Sequence, residues 1–157
     1  MILPTQTIRK LAIELGMIEP FIERGVFLGM TYGLGPATYD VRIRQTLIIP
    51  GHGFVLGSTI ERVNMPNDVR ATMCDKSSWA RRGIAIQNTK IDPGFCGHIT
   101  VEITNHTEMP ITIDAGMPIA QMEFARLEEP TEMPYRGKYQ NQPDEVVAYK
   151  PAKGIWE

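Results

Sequence analysis

Disulfides have almost nothing to work with in this chain: two cysteines, Cys74 and Cys96, stand in 157 residues, too few for a stapled framework. No charged and apolar leader precedes them, so the expected setting is the thiol-reduced cytoplasm. A charge surplus is missing as well. Sixteen Lys and Arg face eighteen Asp and Glu for a net charge of -2, which gives no support to a nucleic-acid polymer as partner. The apolar runs fall far short of a membrane span. No C-x-x-C or H-E-x-x-H occurs among the three histidines and two cysteines, so the expectation is no zinc site. The G-x-S-x-G elbow, the Walker stretch and the dinucleotide glycine pattern are also absent.

What is present reads as one mainly β domain over residues 1–157. A hydrophobic fraction of 43% with 22% charged residues is ordinary for a globular core. Near the N-terminus Ile8, Leu11, Ala12 and Leu15 recur at helical spacing, with Thr7 as a candidate cap and Gly16 as the stop. This is expected to be the one substantial helix. From Tyr39 onward the chain breaks into short runs, YDVRI, QTLIIPG, FVLGSTIERV, GIAIQ, GHITVEITN, MPITIDAG and PIAQMEFARL. Fourteen Gly and twelve Pro supply the turns between them, which argues a sandwich, jelly roll or barrel. Residues 131–157 are polar and proline-bearing, with Tyr135, Tyr139, Tyr149 and Trp156 and no core periodicity. Alone they would pass for a disordered tail or for a C-terminal arm that orders on a partner or ligand.

Three stretches can carry chemistry. In IDPGFCGHITVEITN, Ile99, Val101 and Ile103 point one way while His98, Thr100, Glu102 and Thr104 point the other. The pattern leaves open whether Glu102 is solvated or lines a pocket. DKSSWARRG, from Asp75 to Gly83, gathers Lys76, Ser77, Ser78, Arg81 and Arg82, donors and charge suited to a polyanion such as a triphosphate. In the arm, PYRGKYQNQ places Lys138 among Tyr135, Tyr139 and Gln142, a set able to close over a ligand and exclude water.

Taken in order, the helix, GPATYDVRI, KSSWARRG, IDPGFCGHITVEITN, AGMPIAQMEF and GKYQNQ resemble a dCTP deaminase, of the superfamily shared with trimeric dUTPases. Glu102 stands where the dUTPase branch has an aliphatic residue, and GKYQNQ replaces that branch's glycine-rich, arginine-bearing tail. The resemblance implies a dUTPase-like distorted β-barrel or jelly roll, a homotrimer with sites shared between chains, and zinc-free hydrolysis of dCTP to dUTP and ammonia. It assigns Glu102 as general acid and base, Ser77 as a holder of the water, with a backbone carbonyl around Asn88, and Arg81 as an orienting cation. Asp92 would contact the sugar 3′-hydroxyl. Lys76 and Ser78, with Tyr135, Lys138, Tyr139 and Gln142 of the arm closing over the nucleotide, would bind the triphosphate, and magnesium would ride on its oxygens. The segment GIAIQNTKID, with Asn88 and Lys90, would read the base.

Two departures from the family pattern stand out. The usual G-R-S-S is here Asp75-Lys76-Ser77-Ser78, and GIAIQNTKID is shorter than in typical bacterial members. A shorter segment opens room near cytosine C5, which makes 5-methyl- or 5-hydroxymethyl-dCTP an alternative substrate. A bifunctional enzyme giving dUMP and pyrophosphate, with Asp92 activating water, is a second alternative, and a non-catalytic nucleotide-binding module a third. The family also suggests dTTP as a candidate inhibitor. The compact chain hints at a viral or phage source, which would place the protein in the host cytoplasm.

Overall fold

Proline sets the start of the long helix. Pro4 sits at the N-cap with φ -79°, and α1 (Thr5–Leu15) runs from it to Gly16, which adopts the left-handed φ of 61° that glycine tolerates without a Cβ clash. Thr7 therefore is not the cap: it lies inside the first turn, its N–H donated to the carbonyl of Pro4 at 3.0 Å. Ile8 and Ala12 are buried and Leu11 packs against them, while Leu15 is exposed at the helix end.

The computed structural model describes residues 1–149 and residue 151; Trp156 lies outside the described residues. After α1 come β1 (Ile18–Glu19), β2 (Arg24–Phe27), β3 (Met30–Leu34), β4 (Thr38–Arg42), β5 (Leu47–Ile49), β6 (Phe54–Asn64) and β7 (Val69–Asp75). The short helix α2 (Ser77–Ala80) follows, then β8 (Ile84–Ile86), β9 (Lys90–Ile91), β10 (Cys96–Asn105), β11 (Ile111–Ile113) and β12 (Pro118–Arg126). They form an antiparallel six-stranded sheet in the order β2-β3-β4-β12-β7-β9, a four-stranded sheet β1-β6-β10-β8 and a two-stranded pair β11-β5.

Seven strands follow the runs read from Tyr39 onward, and α1 is the one long helix among the described residues. The hairpin of β2 and β3 carries no Asn-Gly signal. Its turn uses Leu28 and Gly29, both at positive φ, a role leucine seldom takes. Strand β7 was readable: Val69, Ala71 and Met73 alternate inward against Arg70, Thr72 and Cys74.

One core joins the two larger sheets and the helix. Tyr39, Val41, Met122 and Phe124 of the six-stranded sheet meet Ile18, Val63, Val101 and Ile103 of the four-stranded sheet and Ile8 of α1. Each such side chain contributes about 1.5–3 kcal/mol when fully buried. Across the same interface runs an ion pair. Glu61 of β6 is fully buried. It accepts the Arg42 backbone N–H at 2.8 Å and Arg42 Nε at 2.7 Å, while the guanidinium sits 4.7 Å from the centre of the Tyr32 ring.

Removing one member would leave a buried charge without its counterion. Arg42→Ala is expected to cost about 3–5 kcal/mol, read as a lowered urea midpoint; an unchanged midpoint would show that the pair does not hold the sheets together.

Candidate active site

A pocket of about 520 Å³ has β10 as its floor. Burial along this strand alternates without a break from Cys96 to Asn105, so Val101 and Ile103 fasten it to the core while His98, Thr100 and Glu102 face the pocket. Antiparallel pairing with β6 sets Leu56 opposite Glu102, and Phe54 and Leu56 add an apolar wall beside the carboxylate. On the other side, the Gln87 N–H donates to the Glu102 carbonyl at 3.1 Å. The backbone that carries the glutamate is thus tied on both edges.

Glu102 itself is half-buried, and its Oε2 is buried without a hydrogen-bond partner among the described residues. Burial raises its carboxyl above the ordinary glutamate value of 4.5, with the hydrogen bond from its own backbone N–H pulling weakly the other way. A carboxyl held up by desolvation moves closer to the range in which it can both take and return a proton near neutrality.

The turn before β10 and the arm form the remaining walls. Asp92 is exposed in the turn, with its carbonyl accepting the Phe95 N–H at 3.1 Å. The Phe95 ring meets Tyr135 edge-on at 5.5 Å, and the Tyr135 N–H bonds to the carbonyl of Pro93 at 2.8 Å. Farther on, the arm lies against β10 itself. Gln142 is buried and bridges to Gly97, where a Cβ would come within 2.6 Å of the Gln142 nitrogen. Only glycine allows that approach. The Gln142 carboxamide donates to the carbonyl of His98 at 3.0 Å and to Thr100 Oγ1 at 2.7 Å. Tyr135, Tyr139, Gln142, Val147 and Tyr149 all line the pocket. The Lys138 ammonium lies 5.2 Å from the Tyr139 ring centre and 4.3 Å from that of Tyr149, joining the two halves of the arm.

The hydroxyl-and-cation stretch is elsewhere. Ser77, Ser78 and Arg81 are exposed on or just after α2 and lie off the pocket wall. Lys76 is turned into the protein: it is 5% exposed and its Nζ is bonded to Asp40 Oδ2 at 2.5 Å. The expected phosphate contact by this ammonium is corrected on that ground, since a cation committed to a buried carboxylate does not reach solvent. The preceding Asp75 accepts the Ile86 N–H at 2.7 Å and so secures the start of β8. Lys90 lines the pocket but bonds through its ammonium to Thr72 Oγ1 at 2.9 Å. Asn88 is exposed and off the wall, where its neighbour Thr89 stands instead.

A family model described as dCTP deaminase-like matches residues 37–127. The dCTP deaminases of Campylobacter lari and Campylobacter fetus are 37% and 38% identical over 86% of this chain and 90% of each relative. The chain belongs to the dCTP deaminase family. Among solved structures, the 2′-deoxycytidine 5′-triphosphate deaminase of Agrobacterium tumefaciens has a TM-score of 0.62 at 19% identity, covering 78% of this chain and 46% of that one. The EIAV dUTPase has a TM-score of 0.54 at 24% identity, covering 65% of this chain and 85% of that one. These likenesses speak for the fold, which is dUTPase-like.

Within this dCTP deaminase-family chain, Glu102, Asp92, Lys90, Tyr135, Tyr139 and Gln142 share one pocket. Sequence reading did not assign Thr89, Phe54, Leu56, Phe95, His98 or Thr100 to it. The period-2 pattern that exposes Glu102 also exposes His98 and Thr100, so those two were within reach; the β6 residues needed the strand pairing. One H-x-E run does occur, His106-Thr107-Glu108, but no C-x-x-C accompanies it as a zinc deaminase would need. Among the described residues, no cluster of three or more His, Cys, Asp or Glu side chains is placed to hold a metal ion.

The raised carboxyl has a measurable sign. An unfolded glutamate ionises near 4.5, below the folded one, so the folded state loses stability as pH rises from there through the raised value and stays lower above it. Glu102→Gln is expected to raise the melting temperature at neutral pH, with the gain vanishing below the ordinary glutamate value. Thermal melts across that range check it, and a loss of stability at neutral pH would contradict the burial account.

Proposed function

We propose that this chain hydrolyses dCTP to dUTP and ammonia, with Glu102 moving the protons. The observation that carries the reading is the half-buried, partner-poor Glu102 carboxyl on the wall of a pocket that also presents Asp92 and the arm tyrosines. Its carboxylate takes a proton from water as the oxygen bonds to cytosine C4, and returns it to N3. Glu102 then takes the proton of the new C4 hydroxyl and passes it to the amino group, so that ammonia leaves as the C4–N bond breaks, N3 keeps its proton and the uracil carbonyl remains. General acid–base work of this kind is typically worth about 10²–10⁴-fold.

Asp92 holds the sugar 3′-hydroxyl in this reading, and Tyr135, Tyr139, Gln142 and Lys138 enclose the triphosphate. Ser77, Ser78 and Arg81 act from a second chain, in a homotrimer: they are exposed, off this chain's pocket, and carry the donors and charge a water and a phosphate require. Magnesium would be held through the triphosphate oxygens and water, the habit of that hard ion, and would supply charge neutralisation there. No side chain of this chain is assigned to it, and zinc has no part in the step. No helix among the described residues is long and apolar enough to cross a membrane, and a cytoplasmic setting suits the free nucleotide substrate.

Two observations favour variants of the reading. Asp92 is an exposed carboxylate on the pocket wall, where it could also activate water for cleavage to dUMP. Phe54 and Leu56 give an apolar surface near Glu102 that would accept a 5-methyl or 5-hydroxymethyl group on dCTP, or the thymine of dTTP as an inhibitor.

Incubation with dCTP and magnesium, followed by product identification, tests the reading. dUTP with ammonia supports it, dUMP with pyrophosphate supports the bifunctional form, and nucleotide binding without ammonia would leave only a binding module. Glu102→Gln is expected to lower turnover by about 10²-fold or more while keeping nucleotide affinity; full activity in that variant would defeat the mechanism. The shared site makes a separate prediction. Arg81→Ala and Glu102→Gln chains, each nearly inactive, are expected to regain measurable deamination when refolded together, because some mixed sites then hold an intact pair; no recovery would place both groups on one chain.

A further inference from the structure

Outside the pocket, two side chains of the body, Ser58 and Arg44, meet one residue of the arm, and a third, Gln45, holds the serine in place. Ser58 lies in β6 with 0% exposure, and its hydroxyl donates to the carbonyl oxygen of Asp144 at 2.9 Å. Gln45 fixes that hydroxyl, donating Nε2 to Ser58 Oγ at 2.6 Å while its Oε1 accepts the Ser58 N–H at 2.9 Å. Arg44 reaches the Asp144 carboxylate at 3.4 Å and is itself steadied by the Ile60 carbonyl at 3.3 Å. A buried serine hydroxyl needs an acceptor, and here the acceptor belongs to a mostly exposed segment.

None of Arg44, Gln45, Ser58 or Asp144 lines the pocket, yet the arm does so on both sides of Asp144, through Gln142 before it and Val147 and Tyr149 after it. Thr100 links the same parts: its Oγ1 accepts from Gln142 and donates to the Val147 carbonyl at 3.4 Å. We propose that Arg44, Gln45 and Ser58 anchor the arm at Asp144, and that this remote contact sets how firmly Gln142, Val147 and Tyr149 stay closed over the nucleotide. The proposal rests on the pocket being the nucleotide site. These are positioning residues: Arg44 and Ser58 touch the arm at Asp144, Gln45 holds Ser58, and the arm would touch the ligand.

The two contacts differ in weight. Arg44 and Asp144 are 34% and 62% exposed at their side chains, so solvent screens their attraction. The buried hydroxyl bond to the Asp144 carbonyl is the stronger hold. A nucleotide leaves through the opened arm, so loosening the anchor speeds release and leaves the chemical step alone.

The experiment uses the full chain with Ser58→Ala, Asp144→Asn and Asp144→Glu. Hydrogen exchange of residues 139–149 is measured without nucleotide, dUTP dissociation by stopped-flow displacement, and deamination of dCTP in a single turnover. Ser58→Ala is expected to speed both exchange and dUTP release about fivefold, the loss of one neutral hydrogen bond. Asp144→Asn should speed both about twofold, as an exposed ion pair allows, and Asp144→Glu should restore the parent rates. Single-turnover deamination stays within about twofold of the parent in all three. Unchanged exchange in Ser58→Ala and Asp144→Asn overturns the anchor even if the parent deaminates dCTP. A parent without deaminase activity overturns the reading of the pocket, and exchange still decides the anchor. Should Ser58→Ala fail to fold, Asp144→Asn and its restoration by Asp144→Glu carry the same decision.

Discussion

A half-buried carboxylate can sit on the floor of this pocket because its strand is held on both edges. β10 pairs with β6 along most of its length and with β8 at its end, and its inward residues Val101 and Ile103 are locked in the core. A slip of one residue would turn Glu102 into that core and Ile103 into the pocket. The register of one strand pair therefore decides whether the pocket presents a carboxylate at all. The apolar residues on one face of β10 fix the position of the polar ones on the other.

The interior polar groups explain how the rest of the site is distributed. Arg42 and Glu61 tie β4 to β6, and two residues before Arg42 on β4, Asp40 draws the Lys76 ammonium inward. That second pair has a consequence for α2. With Lys76 buried, the chain leaves β7 with its next residues, Ser77 and Ser78, facing solvent. Asp75 reinforces the arrangement by holding the start of β8. The residues that depart from the family pattern at this point, Asp75 and Lys76, are used for folding, and the adjoining hydroxyls and Arg81 are left displayed on the surface.

Much of this was legible where a local pattern is coupled to burial. The alternation from His98 to Thr104, the runs that became β4, β6 and β12, and the helix stopped at Gly16 all state a period or a breaker in consecutive residues. The failures have a common cause. Thr7 looked like a cap, but Pro4 took the position because its fixed φ and missing N–H suit a helix start. Lys76 looked like a phosphate ligand because its partner, Asp40, is 36 residues away on another strand. Leu56 and Phe54 reached the pocket only through pairing with β10. Long-range pairing leaves no local signature, and such sites become visible only once the sheet is assembled.

The arm is the clearest case of tertiary structure overriding composition. Its polar, proline-bearing sequence shows no core periodicity, yet Tyr135 and Tyr139 pack against the core. Against the body it finds acceptors and donors at nearly every second residue: Gln140 with Cys96 and Gly94, Gln142 with His98 and Thr100, Asp144 with Ser58. Because these bonds are made by the chain alone, the entropy of ordering this segment is met before a ligand arrives. If the pocket takes the nucleotide as proposed, binding needs less ordering from the nucleotide itself, and release has to break those bonds. On the proposed anchor, a contact outside the pocket wall, between Ser58 and Asp144, would set how long the arm keeps the pocket's contents in place.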